Sequence, residues 1–205
     1  YRRELRAAVP KGTAPDAAQF RRDMSGLCGT PIVLGNRVET LVNGDAIFAA
    51  MLEEIRHAKR SITFETYIYW SGDVADKFSE ALIERAQSGV SVKVLIDWFG
   101  GLPMADDLID QMHEGGVELR MFRPMRPRSL SRLNNRTHRK VLVVDGEIGF
   151  IGGVGIADVW RGNARNPSEW RDTHYRVSGP VVAPMQNAFA HNWVEARGEI
   201  LRGPD

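Results

Sequence analysis

Helical and extended patterns alternate from Asp45 to Phe122, and that alternation leaves few architectures open to the chain. Asp45–Ala58 carries Ile47, Phe48, Met51, Leu52 and Ile55 on one apolar stripe, the 3.6-residue signature of a helix with a buried face. Ser61–Tyr69 reads as a strand with Thr63, Glu65, Tyr67 and Tyr69 on one side. A helix (Val74–Gln87), a buried strand (Val92–Asp97), a further helix (Asp106–His113, ended by Gly115-Gly116) and another strand (Val117–Phe122) follow. This βαβαβ order predicts an α/β fold, a mixed, largely parallel sheet sandwiched by helices. A hairpin at 140–151 and a strand at 173–178 extend the sheet. Val181–Ala196 closes it as a helix, with Met185, Phe189 and Trp193 as core residues. The 205 residues suffice for one domain with a real core, expected at 37–205. Residues 1–36, of mixed charge with Pro and Gly and one helical stretch near Ala17–Met24, read as a lead-in segment.

The chemistry concentrates between Thr137 and Gly153. Lys140–Val144 is β-branched and strand-forming, Asp145-Gly146 is a strong two-residue hairpin turn, and Ile148–Ile151 returns. If His138 begins the outgoing strand, it shares a face with Lys140, because side chains alternate along extended backbone. An imidazole beside a fixed ammonium suits attack on a phosphate: the ring serves as nucleophile or proton carrier, and the cation holds phosphoryl oxygens. Asp145 precedes Gly in a tight turn, where Asp is favoured for local reasons, so a structural task competes with a catalytic one. Glu65, among aromatics, is either a functional acid near the pocket or a paired structural carboxylate. Asp97 ends its strand, where α/β sheets place sites and where turns are also capped.

Eight basic residues and no acid lie between Arg120 and Lys140 (Arg120, Arg123, Arg126, Arg128, Arg132, Arg136, Arg139, Lys140). Set against a whole-chain formal charge of +1, they leave the remainder at about −7. Such a run draws anionic substrates, whether lipid surface or nucleic acid, and also fits a solvated loop. The single Cys28 excludes an intramolecular disulfide, and the five histidines show no metal-ligand spacing. The sequence holds no run of 18 apolar residues.

The stretch from His138 to Asp145 resembles the H-x-K-x4-D signature of the phospholipase D superfamily. Leu41-Val-Asn-Gly44, Phe64-Glu-Thr-Tyr-Ile68, Val94-Leu-Ile-Asp97, Trp170-Arg-Asp-Thr-His174 and Ser178-Gly-Pro-Val-Val182 resemble the first half of bacterial cardiolipin synthases, over about residues 37–197. The resemblance implies a phospholipase D-like half domain without a metal or other cofactor. It implies His138 as the nucleophile that forms a phosphohistidine, Lys140 as phosphate clamp and Asp145 as the third motif residue. It also implies Asp172 as the acid that orients His138, by the logic of a catalytic triad. Gly153, Gly155, Glu65 and Arg136 are then expected around the phosphate. Gly155 departs from the pattern: relatives often carry Asn there, and backbone N–H groups of the Gly-rich turn are left to take over.

The superfamily chemistry needs two histidines, yet no second H-x-K-x4-D occurs in this chain, since His57-Ala-Lys59 is followed at the acid position by Phe64. Three arrangements answer that. The second motif lies downstream in a longer polypeptide, or on a second copy about a dyad, or the chain only binds phosphate. The expected substrate is an anionic glycerophospholipid at a bacterial membrane surface, with a membrane anchor preceding this stretch. A homodimeric single-motif nuclease or phosphodiesterase, with nucleic acid as substrate, is the alternative.

Overall fold

A computed structural model describes residues 17–125 and 136–197. The chain divides into two compact units, Tyr1–Leu34 and Gly35–Asp205. Among its described residues the first holds helix α1 (Ala17–Cys28).

The second unit runs β1 (Arg37–Val42), α2 (Asn43–His57), β2 (Ser61–Thr66), α3 (Asp73–Gln87), β3 (Ser91–Asp97), α4 (Asp106–Glu114), β4 (Glu118–Phe122), β5 (Val141–Val144), β6 (Ile148–Gly152), β7 (Thr173–Ser178) and α5 (Val182–Arg197). Among the described residues, seven strands form one sheet in the order β1-β7-β6-β5-β2-β3-β4. Period-two alternation sorts the strand residues between two apolar layers. Ile62, Phe64, Val94, Ile96, Leu142, Val144 and Phe150 pack with Ile47, Met51 and Ile55 of α2 and Phe78 and Leu82 of α3. On the other face Val141, Val143 and Val177 meet Val182 and Met185, while Leu95 and Phe122 meet Phe189 and Trp193 of α5. Every residue of β5 is buried because helices cover it on both sides. Phe78 touches Phe48 edge-on and lies against Phe64, so α2, α3 and the sheet share one aromatic contact.

Two expectations are corrected here. The sheet is mixed, but parallel pairing is confined to β2–β3 and β3–β4, and the other four pairs are antiparallel. The hairpin β5–β6 inserts between β2 and β7, which sends β1 to the far edge against β7. Residues 37–42 show only one buried side chain, Leu41, and so carry almost no burial signal for an edge strand. Second, the β2 ladder stops at Thr66, whose hydroxyl donates to the Ile68 carbonyl at 3.0 Å. The alternation is broken there. Tyr69 therefore turns into the α3 layer, where its hydroxyl meets Ser79 at 2.8 Å, and does not share a face with Glu65.

Candidate active site

Antiparallel pairing brings several strand ends together. The carboxyl ends of β2, β3 and β6 and the amino ends of β5 and β7 lie along one end of the sheet. Tyr67, Asp97, Lys140, Gly152, Gly153, Asp172 and His174 sit at those ends. His138 lies in the irregular segment leading into β5, with its ring exposed.

The expected pair forms. Lys140 Nζ lies 3.4 Å from His138 Nδ1 and also 3.4 Å from the His138 carbonyl oxygen. The ring of Tyr67 packs on the imidazole at 4.9 Å between centroids, and Lys140 Nζ stands 5.5 Å from the Tyr67 ring centre. Burial and then the Lys140 charge hold the His138 imidazole below its ordinary value, with Asp97 opposing. A ring kept neutral near pH 7 has the lone pair that a nucleophile needs. Burial also lowers Lys140, and the Asp172 charge opposes that loss.

Thr137 is fixed from two sides. Its N–H donates to Asp97 Oδ2 at 3.0 Å, and its hydroxyl donates to Glu65 Oε1. Asn192 of α5 donates to the same Glu65 oxygen at 2.6 Å and to Thr137 Oγ1 at 3.2 Å. Glu65 is 0% exposed, and among the described residues its Oε2 has no hydrogen-bond partner. Burial pushes its carboxyl up, against the Thr137 and Asn192 hydrogen bonds. Glu65 thus stands behind the site and does not line it.

Asp172 does not take the expected partner. Its carboxylate accepts from Trp160 Nε1 at 3.2 Å and from the Thr173 N–H at 2.7 Å, and no hydrogen bond to His138 forms. The glycine pair explains the packing: a Cβ on Gly153 would overlap the Asp172 carboxylate, and one on Gly152 would overlap the His174 ring. His174 is 1% exposed with Nδ1 unpartnered, and burial lowers its value to about 4. Gly155 is buried. A Cβ there would sit 2.7 Å from Ile68 Cβ and 3.0 Å from Trp160 Cζ3.

Asp145 lies five residues of extended chain, roughly 16 Å, from Lys140, at the opposite end of β5. Its carboxylate accepts from the N–H groups of Lys59 (2.9 Å), Arg60 (2.7 Å) and Ser61 (2.9 Å), fixing the turn into β2. That is a structural task, which corrects its place among the catalytic residues. Arg136 is also drawn inward: Nη1 donates to the Arg123 carbonyl at 2.9 Å and lies 3.7 Å from Asp97 Oδ1. Arg126, Arg128 and Arg132 of the basic run lie outside the described residues.

The sequence reading assigned no site role to Tyr67, Thr137, Asn192, His174 or Trp160. Asn192 left a trace: it falls on the Met185–Phe189–Ala196 stripe of α5, a polar residue at a buried helix position.

Residues 51–193 match the family model described as "Cardiolipin synthase, PLD-like domain". Cardiolipin synthase A of Pseudomonas fluorescens is 36% identical over 181 residues, 87% of this chain and 38% of that protein. Cardiolipin synthase of Geobacillus thermodenitrificans is 35% identical over 176 residues, 85% of this chain and 35% of that protein. The chain therefore spans little more than a third of these relatives. Among solved structures, the phospholipase D family member Nuc from Salmonella typhimurium aligns with a TM-score of 0.61 at 18% identity, over 80% of this chain and 97% of that one. Phosphatidylserine synthase from Haemophilus influenzae aligns at 0.60 and 16%, over 82% and 40%. These two likenesses show the fold, while the family model, matching the segment that carries His138 and Lys140, shows the lineage: the chain belongs to the cardiolipin synthase, phospholipase D-like domain family.

Proposed function

We propose that this chain supplies one half of the active site of a phospholipase D-like phosphatidyltransferase acting on anionic glycerophospholipids. The observation that carries the reading is the exposed His138 ring held against Lys140 Nζ at 3.4 Å, at the end of the sheet where five strand ends meet. In the first step a lone pair of His138 forms an N–P bond while the bond from phosphorus to the leaving alcohol oxygen breaks. Lys140 offsets the charge gathering on the phosphoryl oxygens. The leaving oxygen takes a proton from a second histidine, supplied by a further half-site. An acceptor hydroxyl then gives its proton back to that histidine and attacks phosphorus, releasing His138. The single H-x-K-x4-D in a chain spanning 38% of the cardiolipin synthase A relative supports the half-site reading. The bacterial relatives and the basic run that leads in sequence to His138 support work at an anionic membrane surface. Among the described residues, no helix is long and apolar enough to cross a membrane.

The test uses the full-length gene product with phosphatidylglycerol in mixed micelles. His138→Ala should lower turnover by at least about 10³-fold, as removal of a nucleophile does in a concerted site. A rapid quench into alkaline detergent, where the N–P bond survives, should trap phosphorus on the wild-type protein and not on the variant. Near-normal turnover by His138→Ala would remove the basis of the proposal.

A further inference from the structure

We propose that Glu65 and Asn192 are positioning residues that act through Thr137 to set where the His138 imidazole meets phosphorus. The inference rests on His138 being the nucleophile. Residues 136–140 belong to no strand, and ladder pairing starts only at Val141, which sits opposite Glu65. The backbone that carries His138 therefore draws its order from side chains. Thr137, the residue before it, supplies both handles. Its N–H is held by Asp97 at the end of β3, and its hydroxyl by Glu65 of β2. Asn192 of α5 bridges that hydroxyl and the Glu65 oxygen, so α5 completes the clamp as well as covering the sheet. Tyr67 bounds the imidazole itself, which leaves the ring restrained by Tyr67 on one side and by the Thr137 clamp through the backbone.

Stability alone gives no reason for this cluster. Glu65, Asp97, Thr137 and Asn192 are each less than 9% exposed. Among the described residues, Glu65 Oε2 has no hydrogen-bond partner. Well-packed apolar side chains serve a core at least as well as such a buried polar group. What the cluster supplies is direction: three elements converge by hydrogen bonds on one residue next to the exposed ring. A group displaced by about 1 Å loses up to about 100-fold in rate while substrate contacts elsewhere persist.

The experiment measures hydrolysis of bis(p-nitrophenyl) phosphate by the full-length protein carrying Thr137→Val, Thr137→Ser, Asn192→Leu or His138→Ala, with circular dichroism confirming the fold of each. Thr137→Val keeps the shape and removes the hydroxyl. It should lower kcat by about 10- to 100-fold and leave KM within about twofold. Thr137→Ser restores the hydroxyl and should recover most of that loss, which a packing role for the methyl group would not allow. Asn192→Leu should move kcat in the same direction, and it decides the matter if Thr137→Val fails to fold. Folded Thr137→Val or Asn192→Leu proteins with wild-type kcat, beside an inactive His138→Ala, would overturn the clamp and leave the nucleophile standing. An active His138→Ala would instead overturn the functional reading on which the clamp rests.

Discussion

Replacing Asp145 by Asn separates the two tasks that the H-x-K-x4-D pattern merges. In the structure Asp145 Oδ1 accepts from the Arg60 and Ser61 N–H groups and Oδ2 accepts from Lys59. An Asn side chain keeps one acceptor oxygen for Arg60 and Ser61 but turns an amide N–H₂ toward the Lys59 N–H. One charge-assisted bond is lost, two donors face each other, and the remaining bonds weaken without the charge. With the site partly open to solvent, the sum is about 2 kcal/mol. Asn is the right probe because Asp145 sits at φ +54°, a left-handed conformation that Asn tolerates and Ala does not. For a domain of this size the loss lowers Tm by roughly 4–8 °C. Burial pushes the Asp145 carboxyl up, but the Ser61, Lys59 and Arg60 N–H donors and the Arg60 charge outweigh it and hold the group below its ordinary 3.8. A depressed carboxyl contributes fully above its unfolded value and loses that contribution as pH falls through the folded one. The deficit of Asp145→Asn is therefore expected to be flat above about pH 5 and to shrink in acid below about pH 4. Thermal melts across pH, with turnover normalised to folded protein, check both statements. An unchanged Tm together with a 100-fold loss of turnover would refute the reasoning and return Asp145 to the chemistry.

Two further predictions follow from the packing behind the glycines. His174 is buried with its value lowered from 6.5 to about 4, so the fold binds it neutral and loses up to roughly 3 kcal/mol as pH falls from about 6.5 to about 4; His174→Gln should flatten the stability–pH curve in that window, and an unaltered slope would contradict it. Gly155→Asn, which restores the residue common in relatives, should cost about 1–3 kcal/mol by overpacking against Ile68 and Trp160 and should not raise phosphate affinity; tighter inorganic phosphate binding measured by calorimetry would show that the side chain finds another route.

Sequence periodicity went far on the elements. The stripe of Ile47, Met51 and Ile55, the apolar β5 and the Asp145-Gly146 turn each rest on local physics that tertiary context reinforces. The His138–Lys140 pair was legible for the same reason, since two residues apart on a short segment stay close in most extended geometries. Strand order was not legible. Nothing local in 37–42 says that it pairs with 173–178, far along the chain, or that the 141–152 hairpin inserts beside β2.

Partner choice among the polar groups also belonged to tertiary structure. The motif's neighbourhood points to Asp172 as the acid behind His138, yet Trp160 and the Thr173 N–H claim its carboxylate, because Gly153 lets it settle against the end of β6. Glu65 could be read as functional or structural, and the fold gave it Thr137 and Asn192, the latter 127 residues away in sequence. Helix and strand placement, and the short motif that carries the chemistry, follow from side-chain period and turn preference and so can be read from residue order. Only the tertiary structure decided which buried carboxylate meets which donor, because hydrogen-bond partners are chosen by distance in space, and the sheet order that sets those distances is a global minimum with no local signature.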